Sequence, residues 1–133
     1  MGWSVKPESL RSVLHRVSTE FTNLPVYVTE SGAAFDDSLN SEGEIVDIDR
    51  INYLRGYFEA AAQAIADGVD LRGYFVWSLL DNFEWGEGYS KRFGLVYVDY
   101  ATQERVPKAS AAWYRAQIPL RRTGGTPQPV AED

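Results

Sequence analysis

The sequence predicts an α/β chain with parallel strands, on three observations. Helix-like and strand-like segments follow one another in the order helix, strand, helix, strand, helix. Both strand segments are near-continuous apolar runs, the pattern of strands covered on both faces. Each run gives way to a loop carrying carboxylates. This is the signature of βα units joined by right-handed crossovers, in which sites form at the C-terminal ends of the strands.

The first helix is expected over residues 7–22. Leu10, Val13, Leu14, Val17 and Phe21 recur at helical spacing, and Pro7 suits a first turn. Asn23 and Pro25 end it. Pro25-Val26-Tyr27-Val28-Thr29 is short, apolar and β-branched and reads as a strand ending at Glu30-Ser31-Gly32. Residues 32–46 are rich in Gly, Ala, Ser and Asp and read as a loop. A second helix runs from Asp49 to Ala66, with Ile51, Leu54, Phe58, Ala61, Ala62 and Ile65 on its apolar face and Asp47 or Asp49 as cap. Asp67-Gly68 supplies a left-handed C-terminal stop. Gly73–Ser78 is the second strand, and Leu79–Arg92 a loop of acids, glycines and aromatics. Phe93–Tyr100 reads as a short strand or hairpin arm. Pro107 introduces a third helix over Lys108–Ile118, with Ala109, Ala112, Trp113 and Ala116 as its apolar positions. Residues 1–120 form one domain, and 121–133, without core formers, a disordered tail.

Composition narrows the function. Of 133 residues, 13 are Lys or Arg and 19 Asp or Glu, a net charge of −6, which argues against nucleic acid as a partner. No cysteine is present, so thiolate catalysis and Cys-ligated metals are excluded. His15 is the only histidine and reads as a solvated helix residue, so no transition-metal site is expected. No apolar run reaches the ~18 residues of a membrane span. The charged first 20 residues contain no signal-peptide core, which points to the cytoplasm.

Aromatics are 14% of the chain, with four Trp and eight Tyr. Many are interleaved with acids and glycines in Trp77–Tyr100. Aromatic faces beside hydrogen-bonding carboxylates suit a sugar cleft. Glu30, leaving the first strand, has the position of a nucleophile or general base. Its alternative is a cap or ion-pair partner of the following loop. Asp81, Asn82, Glu84 and Trp85 leave the second strand, which gathers acids on one rim. Trp77 or Trp85 offers a stacking face or an indole N–H, and Glu84 two acceptor oxygens. Alternatively, Trp77 is core and Glu84 a solvated acid. Gly86-Glu87-Gly88 lacks the third glycine of a dinucleotide loop, because position 91 is Lys. Lys91-Arg92 reads as a surface pair.

Tyr27-Val28-Thr29-Glu30-Ser31-Gly32 resembles the Thr-Glu-Asn-Gly nucleophile motif of glycoside hydrolase family 1, the β-glucosidases. Trp77 through Trp85 resembles that family's Trp-Ser-Leu-x-Asp-Asn-Phe-Glu-Trp signature. Met1-Gly2-Trp3, Leu24-Pro25, Asp49-Arg50, Leu71-Arg72-Gly73-Tyr74, Arg92-Phe93-Gly94-Leu95 and Pro107-Lys108 extend the likeness collinearly over roughly residues 1–118. The resemblance implies a retaining β-glycosidase on a (β/α)8 TIM barrel, without cofactor or metal. It makes Glu30 the nucleophile at the end of the seventh strand and Trp77 a sugar platform from the eighth. It gives Glu84 to glycone hydroxyls, Trp85 to an indole N–H contact and Phe93 to the pocket wall. Ser31 departs from the family's Asn.

A barrel needs about 250 residues, so this chain is expected to hold a partial barrel: the last two strands and their helices. Retaining hydrolysis uses two carboxyl groups ~5–5.5 Å apart. The family's acid/base motif, Asn-Glu-Pro, does not occur here. The likeness of Met1-Gly2-Trp3 to an internal stretch suggests a C-terminal fragment that alone is inactive. Its expected partners are a β-glucoside, and either the missing barrel part or a second copy. Two alternatives stand beside the enzyme reading: a non-catalytic carbohydrate-binding relic, and one subunit of a split barrel.

Overall fold

The computed structural model describes residues 2–21 and 23–122, with side chains to residue 118. The expected tail from residue 123 onward lies outside them. Arg121 and Arg122 belong to the last helix instead.

The first helix is α1 (Pro7–Arg16), continued by one π-helical turn over Val17–Phe21. It buries less than its periodicity suggests. Leu14 is in the core and Leu10 packs against it, while Val13 and Phe21 are exposed. Strand β1 (Val26–Ser31) leads through a long loop into α2 (Ile48–Ala66) and then β2 (Leu71–Val76), which pairs parallel with β1. This is the expected βαβ unit. Glu30 lies within the last residues of β1 rather than beyond it. β2 starts and ends two residues before the predicted span, because the Trp77 amide still donates to Ser31 but Ser78 turns to the carbonyl of Phe93.

α2 buries Ile51, Leu54, Phe58 and Ala61 of the stripe read from the sequence, together with Ala60 and Ala64, which that reading left out, while Ala62 is half-buried. Ile65 of that stripe is exposed. Gly68, at φ +100°, provides the left-handed stop. Leu14, Val28, Ala64 and Val69 form the core between helices and sheet, flanked by Val26, Leu71 and Tyr74. Phe58 meets Tyr74 edge-on at 4.8 Å and Trp113 at 5.8 Å.

Among the described residues the strands are covered on one face only. Val26, Val28, Leu71 and Tyr74 face the helices, but Tyr27 and Phe75 alternate to the other side and are more than half exposed. The continuous apolar run therefore reflects two apolar faces of which only one is covered. Among the described residues the sheet has two strands, so each also keeps an unpaired edge.

The predicted hairpin arm is β3 (Val96–Val98), antiparallel to β4 (Arg105–Pro107). β4 was not anticipated: three residues with an arginine carry no apolar signal. Its turn is held by Asp99, whose Oδ1 accepts from the amides of Ala101 and Thr102 at 2.8 and 2.9 Å. These two bonds hold the Asp99 carboxyl below the usual range. α3 (Ala109–Arg122) follows. Among its residues with described side chains, Ser110 and Gln117 are fully buried, whereas of the expected apolar positions Ala109 and Trp113 are half-buried and Ala112 and Ala116 exposed.

Candidate active site

The C-terminal ends of the parallel pair carry the chemistry. Gly32 follows Glu30-Ser31 because nothing larger fits: a Cβ there would lie 1.9 Å from the carbonyl oxygen of Trp77. The glycine of the motif thus lets the end of β1 touch the segment leaving β2. The Trp77 amide donates to the Ser31 carbonyl at 2.9 Å. The peptide bond after Trp77 is cis. The Trp77 indole Nε1–H donates to Glu84 Oε1 at 3.2 Å. Trp77 therefore joins Glu84 to the backbone of Ser31, the residue after Glu30, at the C-terminal end of the two strands.

Glu30 is exposed, and its carboxylate has no hydrogen-bond or ion-pair partner among the described residues, which removes the reading of it as a cap or ion-pair partner. The neighbouring Ser31 points to the helix layer. Its Oγ accepts from the Tyr74 hydroxyl at 2.7 Å and lies 3.3 Å from the Tyr53 hydroxyl. Burial pushes both phenols above their usual range, against the opposing effect of Ser31. Ser31 thus ties the strand end to β2 and to α2.

Glu84 is half-buried, and its amide donates to the Gly88 carbonyl at 2.8 Å. Trp85 is 87% exposed at φ +47°, an uncommon conformation for a side chain of this size. Phe93 is buried at 6%, so its ring offers a pocket wall little surface. Trp77 is partly exposed rather than core.

Asp81 is not on the rim. Its carboxylate is buried and accepts from Gly94 N and Lys108 Nζ at 2.9 Å each, and from Arg92 Nη1 at 2.6 Å. Arg92 is accordingly no surface residue. It also donates to the Val98 carbonyl and lies over the Tyr97 ring at 3.9 Å. Lys108 reaches Asp37 as well, at 2.6 Å. Asp37 in turn takes two bonds from Arg50, at 3.0 and 2.7 Å. Arg50 also bonds Asp47 and the Arg92 carbonyl. Asp47 stands at the N-cap of α2 without capping it, because its oxygens are taken by Arg50 and by Ser110 N and Oγ. Burial disfavours the charged Arg50, but its bonds to Asp37 and Asp47 outweigh this and raise its pKa.

These three cations and three carboxylates balance, which is what makes their burial tolerable. Sequence reading missed them because an acid at a loop start looks the same whether it turns outward or inward. The available signal was three acids and three bases placed in the loops after the strands and at the starts of α2 and α3.

A concavity of about 390 Å³ lies beside Phe35, Asp36, Asp49 and Lys91 and includes neither Glu30 nor Glu84. Among the described residues no group of three or more His, Cys, Asp or Glu side chains is placed to hold a metal ion, and no helix is long and apolar enough to cross a membrane.

The class of protein is an α/β piece, a βαβ unit with an unpaired carboxylate at the end of one strand and a tryptophan-bound carboxylate in the loop after the next. The family is shown by comparison: the model of glycosyl hydrolase family 1 matches residues 1–122, and the chain belongs to that family. It is 57% identical over 114 residues to a 1,4-β-D-glucan glucohydrolase of Thermotoga neapolitana, covering 86% of this chain and 26% of that protein. It is 55% identical to β-glucosidase A of Thermotoga maritima over the same length. The family 1 β-glucosidase structure from Thermotoga maritima superposes with a TM-score of 0.89 at 50% identity, covering 96% of this chain and 28% of that one. The chain spans about a quarter of the length of the curated relatives it matches. It forms no closed barrel among the described residues.

Proposed function

We propose that this chain is the nucleophile and glycone-binding part of a retaining β-glycosidase, corresponding to the last two strands of a (β/α)8 barrel. The observation that carries the reading is the double engagement of Trp77, by its amide with the residue after Glu30 and by its indole with Glu84. Glu30 is the nucleophile. It attacks the anomeric carbon while an acid from another part of the barrel protonates the leaving oxygen, and water then releases the sugar. Glu84 accepts glycone hydroxyls, Trp77 supplies the stacking face, and the exposed Trp85 adds an indole N–H. Phe93 supports the pocket from within the packing. The ligand class is a β-glucoside. A relative from Thermotoga maritima solved with glucoimidazole supports that choice, at 51% identity and a TM-score of 0.88.

A 2-deoxy-2-fluoroglucoside with a good leaving group tests this. The chain is mixed with the barrel portion of a close relative that carries the Asn-Glu-Pro motif. Covalent mass added at Glu30, and lost in Glu30→Gln, is the expected result. Labelling at another residue, or equal labelling of the variant, overturns it.

A second reading is the split barrel, in which the acid comes on a second chain. Tyr27 and Phe75 are exposed on a sheet face that in a barrel would be interior. Turnover that appears only on mixing, with none in the chain alone, is its expected outcome.

A further inference from the structure

We propose that Lys108 is a positioning residue, whose buried ammonium fixes the loop after Glu30 against the loop that carries Glu84. This rests on the reading of Glu30 and Glu84 as two halves of one site. The argument is one of connectivity. Asp37 lies seven residues beyond Glu30, in the loop from β1 to α2. Asp81 lies three residues before Glu84, in the loop leaving β2. The two loops belong to different βα units. Lys108, at the entry to α3, bonds both, at 2.6 and 2.9 Å, with none of its side chain exposed. A compact ammonium on a flexible stem suits a shared position between two carboxylates better than a planar guanidinium.

Each contact is supported from elsewhere. The Lys108 amide donates to the Leu95 carbonyl at 3.0 Å, which fixes the stem to the Gly94–Val96 segment. Asp81 is oriented by Arg92 and by the amide of Gly94, and its own amide donates to the Val96 carbonyl at 3.0 Å. Asp37 is oriented by Arg50, whose Nη2 also reaches the Arg92 carbonyl at 2.9 Å. Arg50 is thus a second tie between the same loops, but it meets the Glu84 side only through a backbone oxygen beyond that loop's tip. Lys108 alone of the two grips a side chain of the loop that carries Glu84, the carboxylate of Asp81. In a site where a displacement of about 1 Å is worth roughly a hundredfold in rate, such a tie sets the sugar-binding oxygens relative to the attacking one.

The test uses the full chain without sugar, so the proposal and the functional reading on which it rests fail separately. The sequence has no cysteine, so nitroxide labels attach only where introduced. Asp36→Cys and Glu87→Cys place them on the two loops at exposed positions. Electron–electron distance measurement in the labelled parent is expected to give one narrow peak. The charge-balanced pair Lys108→Met with Asp37→Asn leaves Asp81 with Arg92 and Asp47 with Arg50. It is expected to lose that narrow peak and to shift the Trp77 indole N–H resonance, which reports the bond to Glu84. A merely structural role would lower the melting temperature and leave both readouts of the folded protein unchanged. If the pair does not fold, Asp37→Asn alone, isosteric and still an acceptor, is expected to broaden the peak. A broad peak in the parent, or unchanged peak and resonance in the folded variant, overturns the proposal.

Discussion

Around Lys108 the molecule is closed, and on the far face of β1 and β2 it is open. Asp37, Asp81 and Lys108 are at most 2% exposed in their side chains, and each is paired. Tyr27 and Phe75 are 54% and 57% exposed, and their rings flank Gly73 on a face no other described element covers. The usual arrangement, apolar groups inside and charges outside, is locally reversed. The closed region joins the two strand-end loops through contacts within the described residues. The open region shows that the described residues do not complete their own apolar burial. Substitutions that separate the two regions sharpen the contrast.

The largest effect is expected from Lys108→Met alone. It leaves Asp37 and Asp81 buried with one cation fewer, and breaking such a pair costs about 3–5 kcal/mol. That is a large share of a typical stability of about 5–15 kcal/mol. Urea unfolding followed by tryptophan fluorescence measures it. A loss under ~1 kcal/mol would mean that the cluster is wet, since exposed pairs are worth no more than that.

Gly32→Ala comes next. The methyl would collide with a backbone carbonyl and not with a flexible side-chain end. Overpacking of this kind costs about 1–3 kcal/mol. It should also separate the end of β1 from Trp77, and so reduce covalent labelling of Glu30 more than overall stability suggests. Normal labelling with normal stability would show that the strand end tolerates the methyl by a backbone shift.

The fate of these residues shows what was legible beforehand. Glu30 in the last residues of β1 and Trp77 just after β2 follow from strand order, because the rule for βα units fixes which end a loop leaves, and Glu84 comes to that end through its bond to Trp77. Asp81 and Arg92 were misplaced, one read as a rim acid and the other as a surface cation. Nothing local separates a solvated carboxylate from one accepting four bonds in the interior. Asp47 was read as a cap for the same reason: its position was right, but the competing donors, Arg50 and Ser110, are supplied by tertiary contact. The strands were read from apolar continuity, which reports two apolar faces without saying whether both are covered. β4 was invisible because its pairing depends on the Asp99 turn and not on its own residues.

Tyr74→Phe probes the closed side more gently. Losing the hydroxyl to Ser31 should cost about 1 kcal/mol. It also carries a pH signature. Burial raises the Tyr74 pKa above its ordinary value of 10.0. A group whose folded pKa is raised contributes stability that is complete below the unfolded pKa and is lost as pH rises toward the folded one. The parent should therefore lose stability above about pH 10, as unfolded tyrosines ionise first. The variant should lose less over that window. Urea midpoints on either side of it compare the two, and equal slopes would mean that Tyr74 ionises as readily folded as unfolded.

The smallest effect on stability is expected on the open face, and it decides what that face is. Phe75→Ser removes a ring that is mostly in water, so the urea midpoint of the chain alone should correspond to a change within about 0.5 kcal/mol. Self-association should fall, because exposed apolar surface beside unpaired strand edges is what drives it. Sedimentation velocity at low and high concentration reads this directly. When the complementary barrel portion is added, the same serine should weaken assembly, since the ring would then pass from water into packing. A substitution that is neutral alone and harmful in the assembly marks a face shaped to be covered. One that is harmful in both would show that the described fold already packs Phe75, contrary to its exposure.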